Sequence, residues 1–176
     1  MRYIKLAILS VFVFALLITG ISLFFPSHIR ISKAVNIKTT PDAVWKQVDD
    51  IRNWPAWNPL MQGAAGKKTT YTDTSGGHWK QIQIEGTTIS ILNPVNGEHQ
   101  ASMQSGSRRA VINGWACFGD PANTSTPGAD SLTVQWYMDF HLHWYPWEKF
   151  SSLMLEKNYG PAMEEGLTRL KQLLQQ

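Results

Sequence analysis

The hydrophobic pattern divides the chain into one unbroken apolar run and a longer region of alternating positions. Residues 6–25, LAILSVFVFALLITGISLFF, contain no charged side chain. A helix of this length is about 30 Å long, which matches the hydrocarbon thickness of a bilayer. No polar face interrupts the run, so a buried helix of a soluble domain fits it poorly. The pattern predicts a transmembrane anchor within residues 1–27 and a separate domain over residues 28–176.

The sequence on either side of this run predicts how the anchor is processed and oriented. A cleaved signal peptide has a shorter apolar core and then small side chains. Here the run ends in the bulky sequence LFFP (residues 23–26), which favours an uncleaved anchor and leaves a cleaved signal as the alternative. Arg2 and Lys5 precede the run, so the positive-inside rule places the N-terminus in the cytoplasm and the domain on the extracytoplasmic side. Arg30 and Lys33 on the other side weaken this orientation.

Beyond the anchor, alternating apolar positions predict a sheet of short strands. The first candidate strand covers residues 29–38, and a long final strand covers residues 131–144 after a loop at residues 119–130. Between them, turn residues separate five candidates, at residues 67–73, 78–85, 87–92, 98–104 and 108–118. In the final strand the even positions from Leu132 to Leu142 are apolar, and the odd positions from Thr133 to His143 are mostly polar. One face of the sheet should therefore be packed and the other wet or functional.

Helical signals appear near the start and at the end of this domain. Thr40-Pro41-Asp42 provides an N-cap, a proline at the first helical position and an early acid, which predict a short helix. The two prolines within residues 51–60 exclude one long helix there. Residues 147–158 and 162–174 have helical spacing, with a break or kink expected at Gly160-Pro161. The order predicts an α+β fold in which a curved antiparallel sheet wraps around a long C-terminal helix.

Composition excludes several function classes. With Arg2 and Lys5 set aside, residues 27–176 carry 14 basic and 13 acidic groups, so no nucleic-acid partner is expected. The single cysteine, Cys117, allows neither an internal disulfide nor a cysteine-based zinc cluster. The nucleophile elbow, the P-loop and the dinucleotide-binding glycine motif are absent from the sequence.

Three segments resemble the START-like, helix-grip superfamily, also called SRPBCC, which includes polyketide cyclases/dehydrases and lipid-transport proteins. Residues 35–60 are similar to its first strand, its proline-initiated helix and a D-x-x-x-W-x-x-W-N-P stretch. Residues 132–136, LTVQW, resemble its last strand. Residues 159–174 resemble an ending that is common in membrane-anchored bacterial members. In this chain the stretch consists of Asp50, Trp54, Trp57, Asn58 and Pro59.

The resemblance implies a helix-grip fold with a mostly apolar cavity between the sheet and the C-terminal helix, and no cofactor or metal. Ordinary core packing is the alternative for each candidate side chain, and close backbone approach is the alternative for the helical glycine. The candidate lining residues are Trp57, Trp79, His99, Met103, Trp115, Trp136, Met138, Phe140, Met154, Met163, Gly166 and Leu167.

Few ionisable residues are candidates for catalysis or for binding a ligand or metal. His99 is a candidate polar contact in the cavity, with a surface position as its alternative. His141 and His143 share a strand face with Asp139, but a solvated outer face explains them as well as a metal site does. Arg108-Arg109 is a candidate site for an anionic head group, with protection of a strand edge as its alternative.

Three functions follow, in order of preference. The first is a membrane-anchored domain that binds a hydrophobic or amphipathic small molecule such as a lipid, isoprenoid or polyketide-like compound. The second is an enzyme of the cyclase or aromatase kind, for which only His99, Asp139 or Glu165 could serve as acid or base. The third is a protein-interaction module without a ligand.

Overall fold

The computed structural model describes residues 2–64, 67–75, 78–119 and 131–175. The chain begins with helix α1 (Arg2–Ser22), in which the stretch Tyr3–Ser22 has a mean hydropathy of 2.5. This stretch is long and apolar enough to cross a membrane, and it is not buried against the rest of the protein. These are the features of a membrane-spanning helix and equally of a signal sequence.

Seven antiparallel strands form one curved sheet in the order β1-β7-β6-β5-β4-β3-β2. The predicted strands are confirmed to within a few residues at each end. The predicted loop at residues 119–130 lies, apart from Gly119, outside the described residues. The strands are β1 His28–Ile37, β2 Thr69–Ser75, β3 His78–Ile84, β4 Thr87–Ile91, β5 His99–Ser105, β6 Val111–Phe118 and β7 Leu132–His141.

Short helices connect the first two strands, and one short and one long helix follow the sheet. The predicted helix after Thr40 is confirmed as α2 (Pro41–Val48), and no long helix follows it. Three short pieces occupy that region instead, the 3-10 turn Ile51–Asn53, helix α3 Trp54–Trp57 and the 3-10 turn Pro59–Ala64. After the last strand come α4 Pro146–Ser151, the 3-10 turn Ser152–Met154 and α5 Leu155–Leu174.

Of the break or kink predicted at Gly160-Pro161, the break is wrong, because α5 is helical through both residues. The interruption lies earlier, at Ser152–Met154. Pro161 removes one backbone donor from the helix, a cost that tertiary contacts must offset. The amine of Lys33 on β1 lies 2.7 Å from a carboxylate oxygen of Glu156 and 2.8 Å from one of Glu164, so it links the helix on both sides of the proline.

The core lies between the inner face of the sheet and α5. The predicted packed face of β7 is confirmed, since its even positions from Leu132 to Phe140 are buried. The predicted apolar stripe of the C-terminal helix is also confirmed, with Met163, Leu167 and Leu170 buried against the sheet.

The outer face of β7 is less wet than predicted, because Tyr137 and Asp139 are buried there. Arg30 on β1 covers both residues. Its guanidinium donates two hydrogen bonds of 2.7 Å to the Asp139 carboxylate and lies 4.1 Å from the centre of the Tyr137 ring. Gly114 allows the ring to lie flat on the sheet, because a Cβ there would lie 2.0 Å from a ring carbon of Tyr137. Burial and a hydrogen bond to Glu98 raise the pKa of Tyr137.

Candidate functional site

Half of the predicted cavity-lining residues lie in the closed core beneath the middle of the sheet. Trp57, Trp115 and Trp136 have no exposed surface, and their ring centres are 5.7–6.1 Å apart. Trp54 packs edge-on against Trp115 at 5.2 Å. Met138, Met163 and Leu167 extend the same buried cluster. These side chains contact one another, so core packing accounts for their burial.

Gly166 lies where α5 comes closest to this cluster. A Cβ at this position would lie 2.8 Å from Cζ3 of Trp136 and 3.0 Å from Cδ of Pro59. Both distances are shorter than ordinary van der Waals contact, so the glycine permits close backbone approach. Of the two interpretations of Gly166, cavity lining and close backbone approach, the structure supports the second.

The D-x-x-x-W-x-x-W-N-P stretch builds the chain turns that hold this core together. The Asp50 carboxylate accepts a hydrogen bond of 3.0 Å from the backbone N–H of Arg52, and the Asn58 side chain accepts one of 3.0 Å from that of Leu60. The indole N–H of Trp54 donates to the Val48 carbonyl at 2.8 Å. The stretch therefore has a structural role here.

Two buried indole N–H groups, of Trp57 and Trp115, have no hydrogen-bond partner within the described residues. An unsatisfied buried donor costs about 1–3 kcal/mol. The perpendicular ring contacts of Trp57 with Trp115 and Trp136 offset part of this cost.

The strand register defines two ends of the sheet. His28 at the start of β1 pairs with His141 at the end of β7, and Val111 at the start of β6 pairs with Met103 near the end of β5. The loops at residues 106–110 and 142–145 therefore lie at the end where α1 leads into β1. We call this the anchor end of the domain, after the anchor that the sequence predicts within residues 1–27, and the opposite end the far end.

An open pocket of about 470 Å³ lies at the anchor end, between the sheet and the C-terminal helices. We call it the anchor-end pocket. Its apolar lining comes from β6, β7, the 142–145 loop, α4 and the start of α5, and its polar lining comes from the two loops, the end of β7 and α4. The apolar residues are Val111, Phe140, Leu142, Trp147, Leu155 and Tyr159, and the ionisable ones are Arg108, Arg109, His141, His143 and Glu148.

Hydrogen bonds join Glu148 and His143 in this pocket. The backbone N–H of His143 donates to the Glu148 carboxylate at 2.7 Å, and the ring Nδ1 lies 3.0 Å from the same oxygen. Burial of the carboxyl opposes its ionisation. The hydrogen bonds from His143 and the charge of Arg109 outweigh that cost and lower the pKa of Glu148. The pocket therefore combines apolar walls with a fixed carboxylate and two arginines.

The pocket adjoins the segment that follows α1. Lys149 is buried, and its amine donates hydrogen bonds of 2.9 Å to the Phe25 carbonyl and 2.7 Å to the Ser27 hydroxyl. The Phe25 and Phe150 rings meet edge-on at 5.4 Å. These contacts hold α4, one wall of the pocket, against the chain that leaves the apolar helix.

The remaining candidate lining residues are dispersed. Only Phe140 of the predicted set lines the anchor-end pocket. Trp79 and Met103 are partly buried against the core, and Met154 is 47% exposed. At the far end, the His99 ring stacks on Trp45 with centres 3.8 Å apart and lies 2.6 Å from the Asp49 carboxylate.

The three candidate acid or base residues lie at separate places. Asp139 is held by Arg30 on the outer face of the sheet, and Glu165 pairs with Arg169 at 2.6 Å on the exposed side of α5. His99 is at the far end. Burial raises the pKa of the Cys117 thiol to about 12, which disfavours its reactive thiolate. No three His, Cys, Asp or Glu side chains are grouped as metal ligands in the part of the chain that the structure describes.

Sequence reasoning missed most of the anchor-end pocket. Trp147, Glu148 and Leu155 lie in the predicted helical range 147–158 and Tyr159 just beyond it, and none of them was a candidate site residue. The dense aromatic sequence HWYPWEKF at residues 143–150 was the available signal. It begins just after the last strand and includes most of α4, which forms one wall of the pocket at this end of the sheet.

A family model described as polyketide cyclase/dehydrase and lipid transport matches residues 28–175. No curated protein matches the sequence. The fold is similar to a START superfamily protein from Mycobacterium smegmatis, with 16% identity and a TM-score of 0.50 over 82% of this chain and 98% of that one.

Two enzymes of known structure share the fold at similarly low sequence identity. The Zhui aromatase/cyclase from Streptomyces sp. R1128 is 14% identical, with a TM-score of 0.55 over 84% of this chain and 94% of that one. Norcoclaurine synthase from Thalictrum flavum is 12% identical, with a TM-score of 0.55 over 88% and 90% of the two chains. At these identities the likeness concerns the fold alone.

Proposed function

Because the chain belongs to the polyketide cyclase/dehydrase and lipid transport family, we propose that it is a membrane-anchored domain that binds a hydrophobic or amphipathic small molecule. The observation that carries this proposal is the anchor-end pocket, which opens between the sheet and the C-terminal helices beside the chain that leaves α1. The pocket volume of about 470 Å³ falls within the range of small-molecule sites.

The lining supports an amphipathic ligand. Phe140, Leu142, Leu155 and Tyr159 offer apolar contacts to a chain or ring system. Polar groups at fixed positions orient such ligands in binding sites. The Glu148 carboxylate is already engaged by His143, so the two arginines of the 106–110 loop favour a ligand with an anionic head group.

The position of the pocket supports a membrane source for the ligand. An anchor keeps the pocket at high effective concentration relative to molecules dissolved in the same bilayer. Lipids, isoprenoids and polyketide-like compounds are the ligand classes that fit both the lining and this location.

A cyclase-type enzyme is the competing interpretation. Such an enzyme needs a positioned acid or base in the cavity. His143 and Glu148 are the paired ionisable groups of the anchor-end pocket, and His99, Asp139 and Glu165 lie outside it. Conversion of a bound compound that depends on His143 would favour the enzyme over the binding domain.

Native mass spectrometry of the full chain, released from detergent micelles, tests the proposal together with extraction of co-purified compounds. Leu155→Trp fills the pocket, and Leu153→Trp is the matched control because Leu153 is 62% exposed and lies outside the lining. We expect the native chain and the Leu153→Trp variant to retain a stoichiometric ligand that the Leu155→Trp variant has lost. Lipids bound to α1 would be retained equally by all three proteins.

Equal retention by the two variants, or no retained compound in the native chain, would contradict a ligand site in this pocket. Circular dichroism checks that each variant folds. Val111→Phe, which fills the pocket from β6, replaces Leu155→Trp if the latter does not fold.

A further inference from the structure

Exposed apolar side chains are concentrated in one segment of the domain. Of the eight large apolar side chains that are exposed between residues 28 and 175, within the described ranges, five lie in residues 144–154. Scattered exposed apolar residues are normal on a soluble surface, whereas a contiguous group marks an interaction site. The five residues are Trp144, Trp147, Phe150, Leu153 and Met154, with exposures of 62%, 68%, 37%, 62% and 47%.

This segment, which we call the aromatic segment (residues 144–154), is attached to the end of the apolar helix. Lys149 lies within it and binds the Phe25 carbonyl and the Ser27 hydroxyl. Phe150 meets the Phe25 ring edge-on. Phe24, at 91% exposure, lies next to these contacts in the chain. The exposed side chains are therefore held at the level where α1 ends.

We propose that the aromatic segment is a second membrane contact, which inserts into the lipid–water interface beside α1. This inference rests on the part of the proposed function that makes α1 a membrane anchor. Tryptophan and tyrosine are enriched at this level of a bilayer, because their rings are apolar and their N–H or O–H groups reach water. The aromatic segment supplies Trp144, Tyr145 and Trp147 at the point where a spanning α1 leaves the hydrocarbon.

Charges at the same end of the domain are consistent with a lipid surface as the occupant. Arg108 and Arg109 are exposed in the neighbouring loop. Within the aromatic segment, the Glu148 carboxylate is engaged by His143 and the Lys149 amine by the chain after α1. The exposed surface thus presents apolar rings flanked by cations, a composition typical of segments that bind anionic membrane interfaces.

The proposed contact gives the anchor-end pocket an entrance from the bilayer. Trp147 both lines the pocket and is 68% exposed on the aromatic segment. A ligand that leaves the lipid phase beside Trp147 would enter the pocket without crossing bulk water.

Spin-label accessibility in the full chain tests the proposal. Cys117→Ser supplies the background, and single cysteines replace Trp144 and Leu153 for labelling. Phe14→Cys in α1 is the lipid reference, and Val95→Cys is the matched control, because Val95 is an exposed apolar residue in the turn between β4 and β5 at the far end. The chains are placed in nanodiscs of phosphatidylcholine and phosphatidylglycerol.

We expect the ratio of oxygen to nickel-chelate collision rates at residues 144 and 153 to exceed the ratio at residue 95 severalfold and to lie between that ratio and the higher one at residue 14, because the interface lies at a smaller depth than the middle of α1. Ratios at 144 and 153 equal to the ratio at 95, with a lipid-like value at 14, would overturn the proposal and leave the anchor intact. Protection of 144 and 153 from both reagents would also overturn it, because protein would then cover the segment. A water-like value at residue 14 would instead contradict the anchor in the proposed function.

Discussion

The interface between the sheet and the C-terminal helix differs at its middle and at its anchor end. In the middle, Trp136 and Met138 of β7 are fully buried, and Gly166 lets α5 approach Trp136 closely. At the anchor end, Phe140 of the same strand lines an open pocket, and a 3-10 turn separates α4 from α5 above it. The strand is continuous, so the helical side of the interface determines where space remains. This fold therefore closes its centre with large rings and leaves a pocket open at one end.

The largest difference between the two regions is expected in the loss of stability when one tryptophan is removed from each. We expect Trp136→Ala to lower the free energy of unfolding by about 3–5 kcal/mol, because it leaves a large cavity in a core that has no exposed surface. Trp147→Ala, at a position that is 68% exposed, should change it by less than about 0.5 kcal/mol. Denaturant unfolding of the full chain in detergent measures both. Similar losses in the two variants would remove the distinction between a closed middle and an open end.

A smaller effect is expected from a single methyl group on α5. Gly166→Ala should cost about 1–3 kcal/mol, because the new Cβ would lie 2.8 Å from Trp136 in a packed core. Gly160→Ala is the control. Its Cβ would meet the flexible ends of Glu156 and Lys33 at 3.3–3.4 Å, and alanine favours a helix. The same unfolding measurement should therefore find Gly160→Ala close to the native chain or more stable, and a stable Gly166→Ala variant would indicate spare room beside Trp136.

The smallest loss of stability is expected from removing the Glu148 carboxylate, which contacts His143 at the open end. The pKa of Glu148 is lower in the folded protein than its ordinary value of 4.5, so ionised Glu148 contributes stability above that value. This contribution is lost as the pH falls through the folded pKa. We expect Glu148→Gln to cost less than about 1 kcal/mol at pH 7, because solvent screens the interactions of a partly exposed carboxylate.

The difference between the native chain and Glu148→Gln should shrink as the pH is lowered from 5 towards 3. Unfolding midpoints measured over this range test the sign. Glu165→Gln provides a control, since Glu165 forms an exposed pair with Arg169. A difference between the native chain and Glu148→Gln that grows on acidification would contradict the assigned shift.

The sequence predicted most of the fold because local signals agreed with it. The apolar run of α1, the Thr40-Pro41 helix start and the alternation of β7 each determine a local structure that tertiary packing did not override. The predicted break at Gly160-Pro161 failed, because the helix beyond the proline packs Met163 and Leu167 into the core against strands that are far away in the sequence. The exposed ion pairs of Lys33 add little to this packing. Local propensity contains no information about such a contact.

The candidate site was less predictable for a related reason. An aromatic residue in a closed core and one that lines a pocket both occupy the inward positions of a strand. Alternation therefore could not distinguish Trp136 in the closed middle from Phe140 at the open end. The distinction depends on how α4 and α5 lie over the sheet. Tyr137 and Asp139 were expected on a wet face for the same reason, since their cover comes from Arg30 on another strand.

The Lys149 contacts change the number of ways in which the domain can move relative to α1. Five residues, 23–27, connect α1 to β1, and as a free tether they would give a reach of about 17 Å. The Lys149 amine fixes two points of this connector to α4, so the connector holds the domain in a fixed orientation relative to α1. A tilt of α1 would then turn the pocket mouth through the same angle. Under the proposed role of α1 as a membrane anchor, the helix tilt would adjust to the thickness of the surrounding hydrocarbon, and that thickness would set the depth at which the pocket opens.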